Sequence, residues 1–189
     1  MSQKSRLCLI SLGSNQPWGK YSPSDILLSS IYDLRQHNIA VSKISRFYKT
    51  PSFPKGTGPD YVNAAVMVSS QLDAPSLLAV LHLIEEKKDR TRSKRWGNRT
   101  LDLDLLTFGN DILPNLQIYN KWRFLSQDLQ RKVTPDRIII PHPRLQDRSF
   151  VLGPLMDIAP DWRHPVLEQS IEQMFFALEE GLRNELLPL

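Results

Sequence analysis

Cysteine is almost absent from this chain: Cys8 stands alone among 189 residues. An internal disulfide is therefore impossible, and a zinc site built on cysteines is excluded. Cys8 lies in the apolar stretch Leu7, Cys8, Leu9, Ile10, where the expected role is a buried, inert thiol. No apolar run approaches the roughly 18 residues of a membrane span, and Ser11 breaks this stretch too early for a secretory core segment. The expected compartment is the cytoplasm, with no membrane partner. Glycine is sparse, eight in all, and none builds a Walker-type phosphate loop; Gly13-Ser14-Asn15 is too weak a signal. Internal repeats and low-complexity tracts are lacking as well.

What is present fits a single domain over 1–189. The chain is 41% hydrophobic and 23% charged, and a chain of this length buries roughly 70% of the surface its unfolded form exposes. A core therefore needs neither a metal nor a disulfide. The formal net charge of +4 and sequence pI of 9.3 favour an anionic partner. Nucleic acid, anionic lipid and nucleotide phosphate all qualify, and the placement of the charge decides among them.

Periodicity predicts a buried strand over 6–12 and a helix over 25–37, where Ile26, Leu27, Ile31 and Leu34 recur at helical spacing. A loosely alternating strand with a possible bulge is expected over 39–47, then a long Pro- and Gly-rich loop over 50–59. Residues 61–68 read as a strand. Pro75 opens an amphipathic helix with Leu77, Leu78, Leu81 and Ile84 facing inward. Residues 101–108 read as a strand with leucines at period two. The segment 111–135 is polar and irregular, with a short helix around 122–129. A short strand at 138–140 and helices over 152–158 and 167–182 complete the reading. The order strand, helix, strand, strand, helix, strand is the split βαβ pattern of ferredoxin-like α+β folds. Helices covering such a sheet give a three-layer α/β/α sandwich.

The sharpest local feature is Arg99-Thr100-Leu101-Asp102-Leu103-Asp104-Leu105. On a strand, Leu101, Leu103 and Leu105 enter the core while Asp102 and Asp104 share the other face. Two carboxylates so close repel unless a cation lies between them, and Mg²⁺ suits one or two carboxylates together with substrate phosphates. The competing account is a solvent-facing acidic stripe. Just upstream, Lys87, Lys88, Arg90, Arg92, Lys94, Arg95 and Arg99 face the single acid Asp89. Cations this dense repel one another, so the loop is expected to be mobile until an anion arrives. Arginine forks suit phosphate oxygens, and Trp96 can stack on a base or a guanidinium. A nucleic-acid-binding module is the rival reading of this loop. Nucleic-acid binding is not helped by carboxylates at the mouth of a basic patch, whereas phosphoryl transfer requires both parts. A third patch is Ile140-Pro141-His142-Pro143-Arg144, followed by Arg148 and Phe150. There His142 is held on a stiff backbone. His37, His82 and His164 read as structural.

These residues, taken in order, resemble the 6-hydroxymethyl-7,8-dihydropterin pyrophosphokinases. The matching segments are Leu12-Gly13-Ser14-Asn15, Phe47-Tyr48-Lys49-Thr50-Pro51, Pro59-Asp60-Tyr61-Val62-Asn63-Ala64-Ala65-Val66, Ile84-Glu85, Arg95-Trp96-Gly97-Asn98-Arg99-Thr100-Leu101-Asp102-Leu103-Asp104 and Ile140-Pro141-His142-Pro143-Arg144. The likeness covers about 7–160. It implies transfer of the β,γ-pyrophosphoryl group of ATP to the pterin's hydroxymethyl oxygen, with release of AMP, in folate biosynthesis. It further implies two Mg²⁺ ions on Asp102 and Asp104, with Arg90 and Arg92 acting in catalysis. Glu85, Arg95, Trp96, Arg99, Leu105, Arg137, His142 and Arg148 would line the ATP site. Thr50, Pro51, Phe53, Tyr61, Asn63 and Phe150 would form the pterin pocket, with Tyr61 and Phe150 sandwiching the ring. A monomer acting on small molecules, without nucleic acid, is expected. The sequence departs from the family pattern in three places. The basic loop is about one residue shorter between Arg92 and Arg95, the segment 111–136 is extended, and Pro143 stands where some members carry an aromatic.

Overall fold

The computed structural model describes residues 5–52, 56, 58–88, 100–126, 129 and 132–189. Strand β1 (Arg6–Ser14) runs up the middle of the sheet. Helix α1 (Pro23–Gln36) begins at Ser22, whose side chain accepts from the Asp25 N–H while Asp25 returns the bond to the cap backbone. Pro23 occupies the first turn, where its missing N–H costs nothing. The expected strand over 39–47 shortens to β2 (Ala40–Ile44), with a register shift between Val41 and Lys43, and a short β3 (Tyr48–Thr50) that the periodicity did not show follows it. Both pair antiparallel with β4 (Tyr61–Ser70). Asp73 caps helix α2 (Ala74–Glu86), accepting from the Ser76 N–H at 2.8 Å. Strand β5 (Asp102–Phe108) follows and pairs antiparallel with β1.

The sheet runs in the order β5-β1-β4-β3, and β2 also pairs with β4. This is the split βαβ arrangement, its second core strand broken into β2 and β3. Two hydrophobic clusters flank it. On one face Cys8, Ile10, Leu12, Ala64, Val66, Val68, Leu101, Leu103 and Leu105 pack against Ile26, Leu27 and Leu34 of α1 and Leu77, Leu81 and Ile84 of α2. On the other, Leu9, Ala65 and Leu106 pack against Val151, Leu152, Leu155 and Ile158 of α4 (Ser149–Ile158) and Ile171 and Met174 of α5 (Ile171–Ala177). The molecule is thus the α/β/α sandwich of the α+β class.

The region after β5 differs most from the periodicity. A helix forms at α3 (Leu116–Arg123), earlier than the expected 122–129, because the Asn115 side chain caps it by accepting from the Ile118 N–H. Tyr119 anchors α3, its hydroxyl 3.0 Å from Nε2 of His164, with both side chains fully buried. Residues 138–140 form only an isolated bridge, Leu113 to Ile140. The expected final helix stops at α5, because Leu178 turns to extended backbone at ψ 151. A short α6 (Glu180–Asn184) follows, and Leu187–Pro188 adds strand β6 at the edge beside β3. No helix among the described residues is long and apolar enough to cross a membrane.

Candidate active site

Strand β5 presents its leucines and aspartates as period two requires. Leu101, Leu103 and Leu105 are buried under α1 and α2, while Asp102 and Asp104 remain partly exposed on the opposite face. Glu85, wholly buried at the end of α2, accepts the Leu103 N–H on Oε1 at 2.7 Å and so fixes the strand between the two aspartates. The Glu85 carboxylate thus lies beneath β5 and positions it. Leu105 is a core side chain, opposite Ile10 and only 5% exposed.

The register across the sheet assembles the floor of the site. Asp102 lies opposite Gly13 on β1, Gly13 opposite Asn63 on β4, and Asn63 opposite Tyr48 on β3. Two strand spacings separate Asp102 from Asn63, about 10 Å between their backbones. Gly13 keeps the gap open: a Cβ there would stand 3.2 Å from Asn63 Oδ1 and 3.9 Å from Asp102 Cβ. Asp104 lies one step along, opposite Ser11. Asn63, 5% exposed, donates from Nδ2 to Thr50 Oγ1 at 2.7 Å, and Thr50 pairs with Tyr61. The amide is thereby oriented, with its oxygen left to face the gap over Gly13. Ser52 Oγ donates to Gly58 O at 3.0 Å, and Asn15 Nδ2 to Pro59 O at 3.3 Å, drawing the long loop back to the sheet.

The third patch closes over the carboxylates. Arg148 Nη1 lies 3.6 Å from Asp104 Oδ2, and its guanidinium carbon is 5.6 Å from the Phe150 ring centroid. Phe150 itself is 38% exposed at the start of α4. The His142 N–H donates to Leu106 O at 2.8 Å, and its Nδ1 accepts from the Arg144 N–H at 3.1 Å. With Nδ1 so engaged, the ring proton sits on Nε2, an assignment from the hydrogen-bond network. Burial, then Arg148, hold the His142 pKa far below its ordinary value, at about 3, against the opposing pull of Asp102. A neutral imidazole that donates from Nε2 therefore stands beside Asp102, Asp104 and Arg148. Arg144 is held by Asp147 at 2.8 Å, and exposed Arg137 by Asp136 at 2.8 Å.

Arg90, Arg92, Arg95, Trp96, Arg99 and Phe53 lie outside the described residues. Lys88, counted in sequence among the loop cations, is 8% exposed: its Nζ donates to Ser29 Oγ at 2.7 Å, pairs with Asp33 at 3.2 Å and sits 5.2 Å from the Trp18 ring centroid. It ties the turn after α2 to α1. Sequence reasoning also passed over Gly13, whose role is space rather than a phosphate loop. The Leu12-Gly13-Ser14-Asn15 motif carried that signal.

Among the described residues no group of three metal-ligating side chains is gathered. Two carboxylates on one strand face nevertheless suit a hard dication that takes its remaining ligands from phosphate and water.

Residues 9–160 match the family described as 7,8-dihydro-6-hydroxymethylpterin-pyrophosphokinase. The chain is 38% identical over 136 residues to a Synechocystis sp. protein named 2-amino-4-hydroxy-6-hydroxymethyldihydropteridine pyrophosphokinase, covering 72% of this chain and 59% of that one. It is 35% identical to the Haemophilus influenzae protein of the same name, over 80% of this chain and 81% of that one. A Plasmodium falciparum HPPK-DHPS structure with SDX-DHP shares the fold at a TM-score of 0.61 and 17% identity, over 90% of this chain and 43% of that one.

Proposed function

The chain belongs to the 7,8-dihydro-6-hydroxymethylpterin-pyrophosphokinase family, and from that premise we propose that it transfers the β,γ-pyrophosphoryl group of ATP to 6-hydroxymethyl-7,8-dihydropterin in folate biosynthesis. The hydroxymethyl oxygen forms a bond to the β-phosphorus, the bond from that phosphorus to the α–β bridging oxygen breaks, and AMP leaves. The observation that carries this reading is the row Asp102–Gly13–Asn63, which sets a carboxylate pair and an oriented amide on either side of a gap only glycine keeps open.

Asn63, steadied by Thr50, supplies both donor and acceptor capacity for the edge of a planar heterocycle. Tyr61 and Phe150 supply aromatic faces for its ring. Asp102 and Asp104 would hold two Mg²⁺ ions, which neutralise phosphate charge when bound. His142 donates from Nε2 to a nucleotide oxygen or hydroxyl without adding charge. Arg148 supplies a cation to phosphate, and Asp104 holds it in place until nucleotide arrives. By the family resemblance, Arg90, Arg92, Arg95 and Arg99 would contact the phosphates, with Trp96 in the same segment. Small molecules rather than nucleic acid are the proposed partners, because carboxylates adjacent in sequence to a basic segment repel a polyanion, and a monomer is the proposed state.

The test is turnover of Mg-ATP and the hydroxymethyl dihydropterin, with AMP separated from ADP. AMP should appear in step with pterin diphosphate. ADP instead would leave a simple kinase, and salt-sensitive duplex binding without turnover would favour the nucleic-acid reading.

A further inference from the structure

Residues 150, 153 and 157 of α4 form one stripe, since positions three, four and seven apart share a helix face. Phe150 heads the stripe at the open end of the site. At Gly153, one turn on, a Cβ would stand 2.6 Å from Leu186 Cδ1 and 3.2 Å from Leu186 Cδ2, so the tip of Leu186 would have to leave its seat. Asp157, a further turn on, accepts from the Tyr48 hydroxyl at 2.9 Å and pairs with Arg46 at 2.7 Å. The segment after Leu186 is fastened to the strand that Tyr48 begins. Leu187 and Pro188 pair with Lys49 and Tyr48, and the Leu189 N–H donates to Phe47 O at 2.9 Å. Thr50, the partner of Asn63, ends that strand. A cavity of about 250 Å³ beside Thr50 and Pro51 is walled in part by Glu185 and Leu187.

We infer that residues 186–189 are a positioning element for the acceptor site, with Leu186 seated on Gly153 to set where Phe150 stands relative to Thr50 and Asn63. The inference rests on the functional reading above. α4 is seated on the sheet through Val151, Leu152, Leu155 and Ile158, and two further contacts join it to the Tyr48 strand and the segment after α6. One is the Asp157–Tyr48–Arg46 cluster, far from the opening. The other is Leu186 against Gly153, one turn from the aromatic ring. Loss of the nearer contact leaves α4 seated on the sheet by its core side chains but removes support from the face that carries the partly exposed Phe150 ring, which can then shift. Leu186 touches no reacting atom in this scheme; it acts through Phe150.

The experiment uses the full chain with Leu186→Ala, Gly153→Ala and the two combined, titrated separately with 6-hydroxymethyl-7,8-dihydropterin and with Mg-ATP. Each single change should raise the pterin Kd by about tenfold, as small displacements of a binding group do. The Mg-ATP Kd should move less than the pterin Kd, because Arg148, the nucleotide-side residue at the start of α4, is also held by Asp104. Alanine ordinarily favours a helix over glycine, so loss of affinity in Gly153→Ala reports the clash with Leu186 rather than helix propensity. The double variant should recover most of the loss, since removing the Leu186 methyls vacates the space that the new Cβ needs. Unchanged pterin affinity in both single variants, whatever their melting temperature, overturns the inference. So does a double variant no better than the worse single one. Should Leu186→Ala not fold, Leu186→Val must still weaken pterin binding selectively or the inference falls. An unsubstituted chain that binds no pterin would instead overturn the functional reading itself.

Discussion

On the face of the sheet beneath α1 and α2, β1 contributes Cys8, Ile10 and Leu12, all essentially without exposure. On the opposite face the same strand contributes Leu9, Ser11 and Gly13. The first face is apolar along its whole length. The second is apolar only where α4 and α5 cover it, at Leu9, Ala65 and Leu106, and it turns polar towards Gly13, Asn63, Asp102 and Asp104. The helix explains the division: α4 begins at Ser149, so the sheet beyond Arg148 has no apolar cover. Fold and site are therefore written on alternate residues of the same strands. Cys8 follows the first rule, its thiol pKa pushed up to about 12 chiefly by burial, which leaves it inert.

Four measurements can break or sharpen this contrast. Leu12→Ala, on the covered face, should cost about 2–5 kcal/mol of stability in chemical denaturation. Turnover by the folded fraction should change little, and a large kinetic defect at full folding would show that the two faces are not separable. Asp102→Ala, next to Leu103 (the register partner of Leu12) but on the open face, should lower kcat by roughly 10², about 2.7 kcal/mol of transition-state stabilisation. Its melting temperature should not fall, and near-normal turnover would return Asp102 and Asp104 to a solvated acidic stripe. Phe150→Ala, at the boundary between covered and open halves, should weaken pterin binding by about 1–3 kcal/mol while leaving nucleotide affinity alone. Were stability lost with pterin affinity intact, the ring would belong to the covered half.

The smallest effect concerns a polar group within the covered half. His164 is fully buried, with Nδ1 accepting the Val166 and Leu167 N–H groups at 3.1 and 3.2 Å. Burial, then Arg123, lower its pKa from 6.5 to about 4. The unfolded chain thus binds a proton that the folded one refuses. Stability must fall as pH drops from about 6.5 towards about 4, by somewhat under 1 kcal/mol between pH 7 and pH 6. His142, lowered in the same way, adds to the same slope. His164→Asn keeps an acceptor at the Nδ1 position and does not titrate, so urea melts at the two pH values should show a reduced difference. An unchanged slope would exclude His164 as its source.

What the sequence determined by itself is what period and motif can express. Alternation along 101–105 separated the leucines from Asp102 and Asp104. Helical spacing placed Ile26, Leu27, Ile31 and Leu34 inward, and all four are buried. The order of elements implied the split βαβ core, and the motifs from Leu12 to Arg144 named the family. What only the tertiary structure decided depends on pairs distant in the chain. The register across three strands made Gly13 a gap between Asn63 and Asp102. The proximity of Asp33 removed Lys88 from the basic segment, and the packing of α2 under β5 turned Glu85 into its support. Leu186 carries no local signal of any kind; its meaning comes from meeting Gly153, 33 positions away, so closely that a Cβ there would displace its tip. Local periodicity records which way a residue faces, because backbone geometry fixes that within a turn or a pleat. It cannot record what the residue faces, because that is settled only when the layers close on one another.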